Sequence, residues 1–155
     1  LDTLIDMNGV QLAEGGPLAN LHVRGGRERA AVLRDSIYRR MRHGRAYLRG
    51  EIPAHLHYNE DPRAGDIVVV MEDHFQIGRA DRLPRAGGAH GWDPTFPSMH
   101  AIFVASGPGI PAGKVLPSFE NIEIYPWLTE ILGLRSADGI DGRAGFLRDL
   151  IAKTR

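Results

Sequence analysis

Residues 87–109 read GGAHGWDPTFPSMHAIFVASGPG, and the residues most suited to metal or acid–base chemistry are at their start. His90 is flanked by Gly87, Gly88 and Gly91, which let the backbone fold tightly around an imidazole, and Asp93 lies next to them in the same loop. A neutral imidazole is a good zinc donor, and a carboxylate behind it orients the ring by a hydrogen bond. The loop feeds an apolar run, and loops carried on a rigid sheet are where functional groups tend to sit. The local pattern leaves a ligand or catalytic role and a structural role equally open.

Other constellations compete with it. The chain has seven histidines, and most must be structural or surface residues. His55 and His57 alternate along an expected strand and so share a face, a geometry that suits a metal only if a third ligand is near. Asp73 and His74 come directly after the run VVVME, where a strand end presents a carboxylate and an imidazole together. Their sequel, FQIGRAD, lacks the glycine turn that would carry the backbone away from a metal, so a solvated turn is the competing reading. The run GPGIPAG, residues 107–113, lacks the lysine and helix start of a phosphate-cradling loop, and its prolines remove backbone donors; it reads as a rigid turn. The run DGIDGR, residues 138–143, has calcium-like spacing for two carboxylates without a closing glutamate, and reads as a loop.

These groups need elements to place them. Turn signals at Asn8-Gly9 and Gly15-Gly16-Pro17 break a strand-like alternation over residues 1–23, and LANLHV, residues 18–23, is a short strand. RERAAVLRDSIYRRMRHG predicts a helix over residues 27–44, with Ala30, Leu33, Ile37 and Met41 on one face and Gly44 as its cap. Strands come next at AYLRGEIP and at DIVVVME, Asp66 to Glu72. Strand, helix, strand, strand makes an α+β unit over about residues 20–80, closed by the glycine- and arginine-rich GRADRLPRAGGAHG. Beyond His90 the character changes: HAIFVASGPGI reads as a strand buried on both faces of an α/β sheet. SFENIEIYPWLTEILGL then predicts a helix, with Pro126 in its first turn and Gly133 at its end.

Composition bounds the rest. The chain has 155 residues, enough for an ordinary domain, and 43% hydrophobic content suits a packed core. Nineteen basic and nineteen acidic side chains cancel, so no global field draws nucleic acid or an anionic membrane. The arginine-rich helix has too few aromatics near it for a nucleic-acid groove. No apolar run reaches membrane-spanning length. With no cysteine, disulfides and thiolate metal sites are excluded, while the compartment stays open. The opening LDTLIDMNGVQL has neither an initiator methionine nor a signal-peptide succession, and reads as a chain entered in its middle.

HGWDPTFPSMHAIFVASGPGI together with FENIEIYPWLTEILGL closely resembles the carboxy-terminal part of the nucleotide pyrophosphatase/phosphodiesterase family, within the alkaline phosphatase superfamily. The family pattern is a His-Gly-x-Asp loop, a Ser-Met-x-Ala strand, a Gly-Pro turn and a helix announced by Phe-Glu-Asn-Ile-Glu. PAHLHYNEDPRAGDIVVVMEDHFQIG is similar to the family's small inserted subdomain, and LDTLIDMNGV to the segment just after its Ser-Asp-His-Gly-Met strand. The resemblance implies an α/β fold: the carboxy-terminal part of an alkaline-phosphatase-like core with an inserted small α+β subdomain. Residues 1–17 would end a core segment, 18–84 form the inserted subdomain, and 85–155 return to the core with its metal loop.

The resemblance further implies a zinc enzyme with two ions per site that hydrolyses a phosphodiester or pyrophosphate bond through a covalent phospho-enzyme intermediate. Its substrate would be a small phosphodiester or nucleotide. His90 maps onto a zinc ligand, and Asp93 onto a residue behind it that orients the ring. Asp73 and His74 map onto a turn outside the active site. The nucleophile and the other ligands do not map onto this sequence and belong to an amino-terminal half, so the chain alone is expected to be inactive. Pro94 stands where the family commonly has asparagine. The alternatives are a non-catalytic binding module on the same scaffold, or a phosphomonoesterase or phosphonate hydrolase of the superfamily. Bacterial members being commonly exported, the resemblance also implies a periplasmic or extracellular location.

Overall fold

The structure, a computed structural model, describes residues 1–13, 15–59, 61, 63–82 and 87–150. The chain divides into two compact units, Leu1–Ala101 and Ile102–Arg155.

The first unit is built on four strands: β1 (Val10–Ala13), β2 (Leu18–Val23), β3 (Gly44–Leu48) and β4 (Ile67–Met71). They pair antiparallel in the order β1-β2-β4-β3, which puts β2 and β4 at the centre. All five residues of β4, IVVVM, are buried, so both faces of the sheet are covered. Because side chains alternate along a strand, Ile67, Val69 and Met71 join Ala19, Leu21, Ala46 and Leu48 on one face, while Val68 and Val70 join Ile52 on the other. Helix α1 (Gly26–Arg40) covers the first face with Ala30 and Ile37 buried and with Leu33 and Met41 packed beside them. Glu28 in its first turn and Arg39 and Arg40 in its last complement the helix dipole.

Gly44 does not cap this helix. The helix ends at Arg40, Met41 is already extended, and Gly44 opens β3. A Cβ there would come within 2.9 Å of both Met71 Sδ and the Val70 carbonyl oxygen, so glycine serves the close approach of β3 to β4. The second sheet face is covered by the crossing from β3 to β4. Two hydrogen bonds pin that crossing, from Ile52 N to Asn59 Oδ1 at 3.0 Å and from Asn59 Nδ2 to the Ile52 carbonyl at 2.6 Å. Asn20, buried in β2, donates to Tyr58 Oη at 3.0 Å and accepts from Gly65 N at 3.1 Å, so its amide is satisfied across the same face.

In the second unit the strand expected at residues 100–110 does not form. Residues 101–106 lie outside any strand, with Ile102 and Val104 90% and 77% exposed. A strand buried on both faces needs ladder partners, and this segment pairs with none among the described residues. Its alternation survives in packing: Phe103 and Ala105 pack on the Trp127, Leu147 and Leu150 cluster. Phe103 meets Phe119 and Trp127 edge-on at 5.1 and 5.5 Å. The expected helix is present but shorter, as a single tight turn (Asn121–Glu123) and α2 (Ile124–Ile131). Pro126 sits in the first turn, where no intrahelical N–H is needed. Gly133, at φ +65°, closes the helix: Leu134 N donates to the Thr129 carbonyl at 2.8 Å and Gly133 N to the Glu130 carbonyl at 3.2 Å. Glu123 is buried and accepts from Arg143 Nε at 2.7 Å and Arg143 N at 2.8 Å, tying the start of α2 to residues 142–143.

Candidate metal loop and its supports

His90 lies on an exposed loop with no hydrogen bond to its ring from the described residues, which leaves both imidazole nitrogens open to a ligand on that side. Gly87 and Gly91 adopt φ of +150° and +102°, conformations that side chains resist, so the glycines do shape the turn around it. Past His90 the loop is organised by Asp93. Asp93 Oδ1 accepts from Thr95 N at 2.9 Å and from Thr95 Oγ1 at 2.6 Å, and Phe96 N donates to the Asp93 carbonyl at 3.1 Å. This is a side-chain-closed turn, and it works with Pro94 because the donors come from the residue after the proline. Trp92 Nε1 donates to the Phe75 carbonyl at 2.7 Å.

The second Asp93 oxygen does not turn to His90. Oδ2 is 2.8 Å from His55 Nε2, and the hydrogen bonds of the Asp93 carboxylate go to His55 and Thr95. His55 does not lie on a strand either. It belongs to a single tight turn, Ala54–Leu56, and His57 sits after it in the left-handed region at φ +49°, so the two imidazoles are not placed on one strand face. Burial pushes the Asp93 carboxyl up, but the hydrogen bonds from Thr95 and His55 outweigh it and hold the group below the usual carboxylate range.

Asp73 and His74 form a turn after β4, with His74 at φ +69° and its side chain 83% exposed. Ser98 Oγ donates to Asp73 Oδ2 at 2.6 Å, so this carboxylate secures the chain just past the loop. Arg135 and Asp138 pair on the surface at 3.1 Å, which agrees with a loop at residues 138–143. Among the described residues no three His, Asp or Glu side chains converge in a way that could hold a metal. Among the described residues the exposed His90 ring has a free nitrogen to offer a metal, but these residues do not make a zinc site by themselves.

Sequence reasoning missed the meeting of His55 with Asp93 and the Asn59 bracket that places His55. The first bridges segments 38 residues apart, and the second is a side-chain bracket within the crossing that no local pattern marks.

This architecture is the alkaline-phosphatase-like α/β fold. The structure superposes on human ectonucleotide pyrophosphatase/phosphodiesterase 5 with a TM-score of 0.85 at 22% identity, over 99% of this chain and 40% of that one. The model of the type I phosphodiesterase/nucleotide pyrophosphatase family matches residues 1–93, and the chain belongs to that family. Similar curated proteins include venom phosphodiesterase CdcPDE of Crotalus durissus collilineatus, 37% identical over 108 residues, covering 69% of this chain and 13% of that protein. Ectonucleotide pyrophosphatase/phosphodiesterase family member 1 of Mus musculus is 33% identical over 113 residues, covering 72% of this chain and 12% of that protein. The chain thus spans about an eighth of the length of these curated relatives.

Proposed function

We propose that this chain is the carboxy-terminal portion of a zinc-dependent phosphodiesterase or nucleotide pyrophosphatase. Hydrolysis of a small phosphodiester or nucleotide would proceed through a covalent phospho-enzyme intermediate on a nucleophile outside residues 1–155. The observation that carries this reading is the family match through residue 93, which takes in an exposed His90 with no competing hydrogen bond among the described residues. His90 would contribute one zinc ligand, and the remaining ligands would come from the amino-terminal half. Bound zinc lowers the pKa of water and stabilises negative charge on phosphoryl oxygens. The residues of this chain hold the loop and orient it; on this reading they carry out no bond-breaking step, and the chain alone is inactive. A periplasmic or extracellular location accords with the venom and ecto-enzyme names of its relatives.

The test is His90→Ala in the complete protein. Zinc content should fall by about one ion and diester turnover by at least ~100-fold, with the unfolding midpoint unchanged because the residue is exposed. Unchanged zinc and turnover would overturn the reading.

A second reading, a non-catalytic binding module on the same scaffold, is motivated by the nucleophile, which does not map onto this sequence. Hydrolysis of a chromogenic phosphodiester by the complete protein, abolished by a chelator, would exclude it. Comparing monoester with diester turnover separates the remaining superfamily chemistries, phosphomonoester and phosphonate hydrolysis.

A further inference from the structure

Up to Gly91, the loop that carries His90 has little to hold it among the described residues, and its own turn closes only at Asp93. Gly87, Gly88 and Gly91 leave its backbone free, and the His90 ring makes no hydrogen bond to the described residues that would restrain it. An open pocket of about 190 Å³ lies beside it, between Leu18 and Val70 of the sheet, Ile52 and Leu56 of the crossing, and Trp92 and Pro94 of the loop. Trp92 packs against the core, while the loop atoms that face the pocket lack dispersion partners on that side, so contact holds the loop only in part. Its polar attachments complete that hold.

Residues 91–95 make two side-chain attachments outside the loop among the described residues. Trp92 Nε1 donates to the Phe75 carbonyl at 2.7 Å, and Asp93 Oδ2 meets His55 Nε2 at 2.8 Å. The two Asp93 oxygens divide the work: Oδ1 closes the turn through Thr95, and Oδ2 reaches the neighbouring crossing. His55 is placed in advance for this contact. The paired hydrogen bonds between Asn59 and Ile52 close the crossing that contains it, and His57 N donating to the Ala54 carbonyl at 3.0 Å closes the tight turn on which it stands. The bond needs the proton on Nε2, because a carboxylate only accepts.

We propose that His55 is a positioning residue for the metal loop, fixing through Asp93 the backbone that presents His90. The assignment gives His55 a role distinct from metal ligation. Its functional consequence rests on the reading of His90 as a zinc ligand, while its structural consequence does not.

The experiment compares His55→Ala and His55→Gln with wild type in the complete protein, with His90→Ala as control. The readouts are amide hydrogen exchange at residues 91–96 in the chelated protein and the rate of zinc release to a chelator. His55→Ala should speed exchange at 91–96 and zinc release, each by about tenfold, while the unfolding midpoint stays in place. His55→Gln, whose amide nitrogen can donate from nearly the same position, should restore both. Unchanged exchange and unchanged zinc release in His55→Ala would overturn the proposal. Faster exchange in His55→Ala, with zinc retained in His90→Ala, would uphold His55 as the loop's anchor and reject His90 as the ligand. Should His55→Ala fail to fold, His55→Asn, whose amide is too short to reach, takes its place.

Discussion

Asp93 links the chemistry of the loop to its architecture, and its charge is what makes that possible. Its carboxyl titrates below the ordinary value of 3.8 because hydrogen bonds from Thr95 and His55 outweigh the effect of burial. A carboxyl depressed on folding contributes stability that is complete above its ordinary value and is lost as pH falls through the depressed one. Wild type should therefore lose stability more steeply than Asp93→Asn as pH drops below 3.8, with parallel behaviour between pH 5 and 7; urea midpoints against pH check this. Glu123 offers a second case. It is 1% exposed and bonded to Arg143, whose guanidinium is mostly in solvent. Arg143→Ala would leave the buried carboxylate only the backbone N–H of residue 143 among the described residues, at a cost on the order of 2 kcal/mol by urea unfolding. Sequence reading singled out Asp93 but paired it with His90, since nothing local to either residue reveals His55, 38 residues away. Pattern reading placed Glu123 in a helix-announcing run without revealing Arg143, for the same reason.

At the scale of elements, the sheet depends on glycine at two close approaches. A Cβ on Gly65 would lie 2.6 Å from Leu21 N and 2.8 Å from the carbonyl oxygens of Leu21 and Ile67. All three are backbone atoms of β2 and β4, so Gly65→Ala must push the two central strands apart. We expect a loss of about 2–3 kcal/mol, read as a lower urea midpoint. Ile67→Ala, at a fully buried position of β4, should cost about 3 kcal/mol through the cavity it leaves. The elements themselves are largely legible. LANLHV forms a strand over its full length, and DIVVVME forms one over its β-branched centre. The arginine-rich run forms a helix that carries the expected apolar positions Ala30, Leu33 and Ile37, with Met41 packed beside them just past its end. Legibility fails at their ends and crossings. Gly44 misleads because a glycine near a helix end and a glycine needed for strand contact look the same in one dimension, and His55 because a short run of alternation can close as a tight turn.

For the whole molecule, the prediction concerns the complete protein in which this chain takes part. On the proposed reading, its hydrolysis of a chromogenic diester should disappear on treatment with a chelator and return with added zinc; the turnover assay before and after chelation checks this. No helix among the described residues is long and apolar enough to cross a membrane. The exposed Ile102 and Val104 mark the place where pattern and structure diverge most at this scale.

The sequence by itself determined most of the local elements. Periodicity, β-branched runs and glycine turns act through short-range sterics and burial, and these are written in neighbouring residues. It also carried the family, through the order and spacing of motifs that need no coordinates. Tertiary structure decided the rest: that Asp93 is held by His55, that Glu123 is held by Arg143, that Gly44 and Gly65 exist for strand contact, and that residues 101–106 are not a strand. Each of these depends on a partner distant in the chain. A hydrogen bond or a strand ladder is stable only when both sides are present, and one dimension shows only one side at a time.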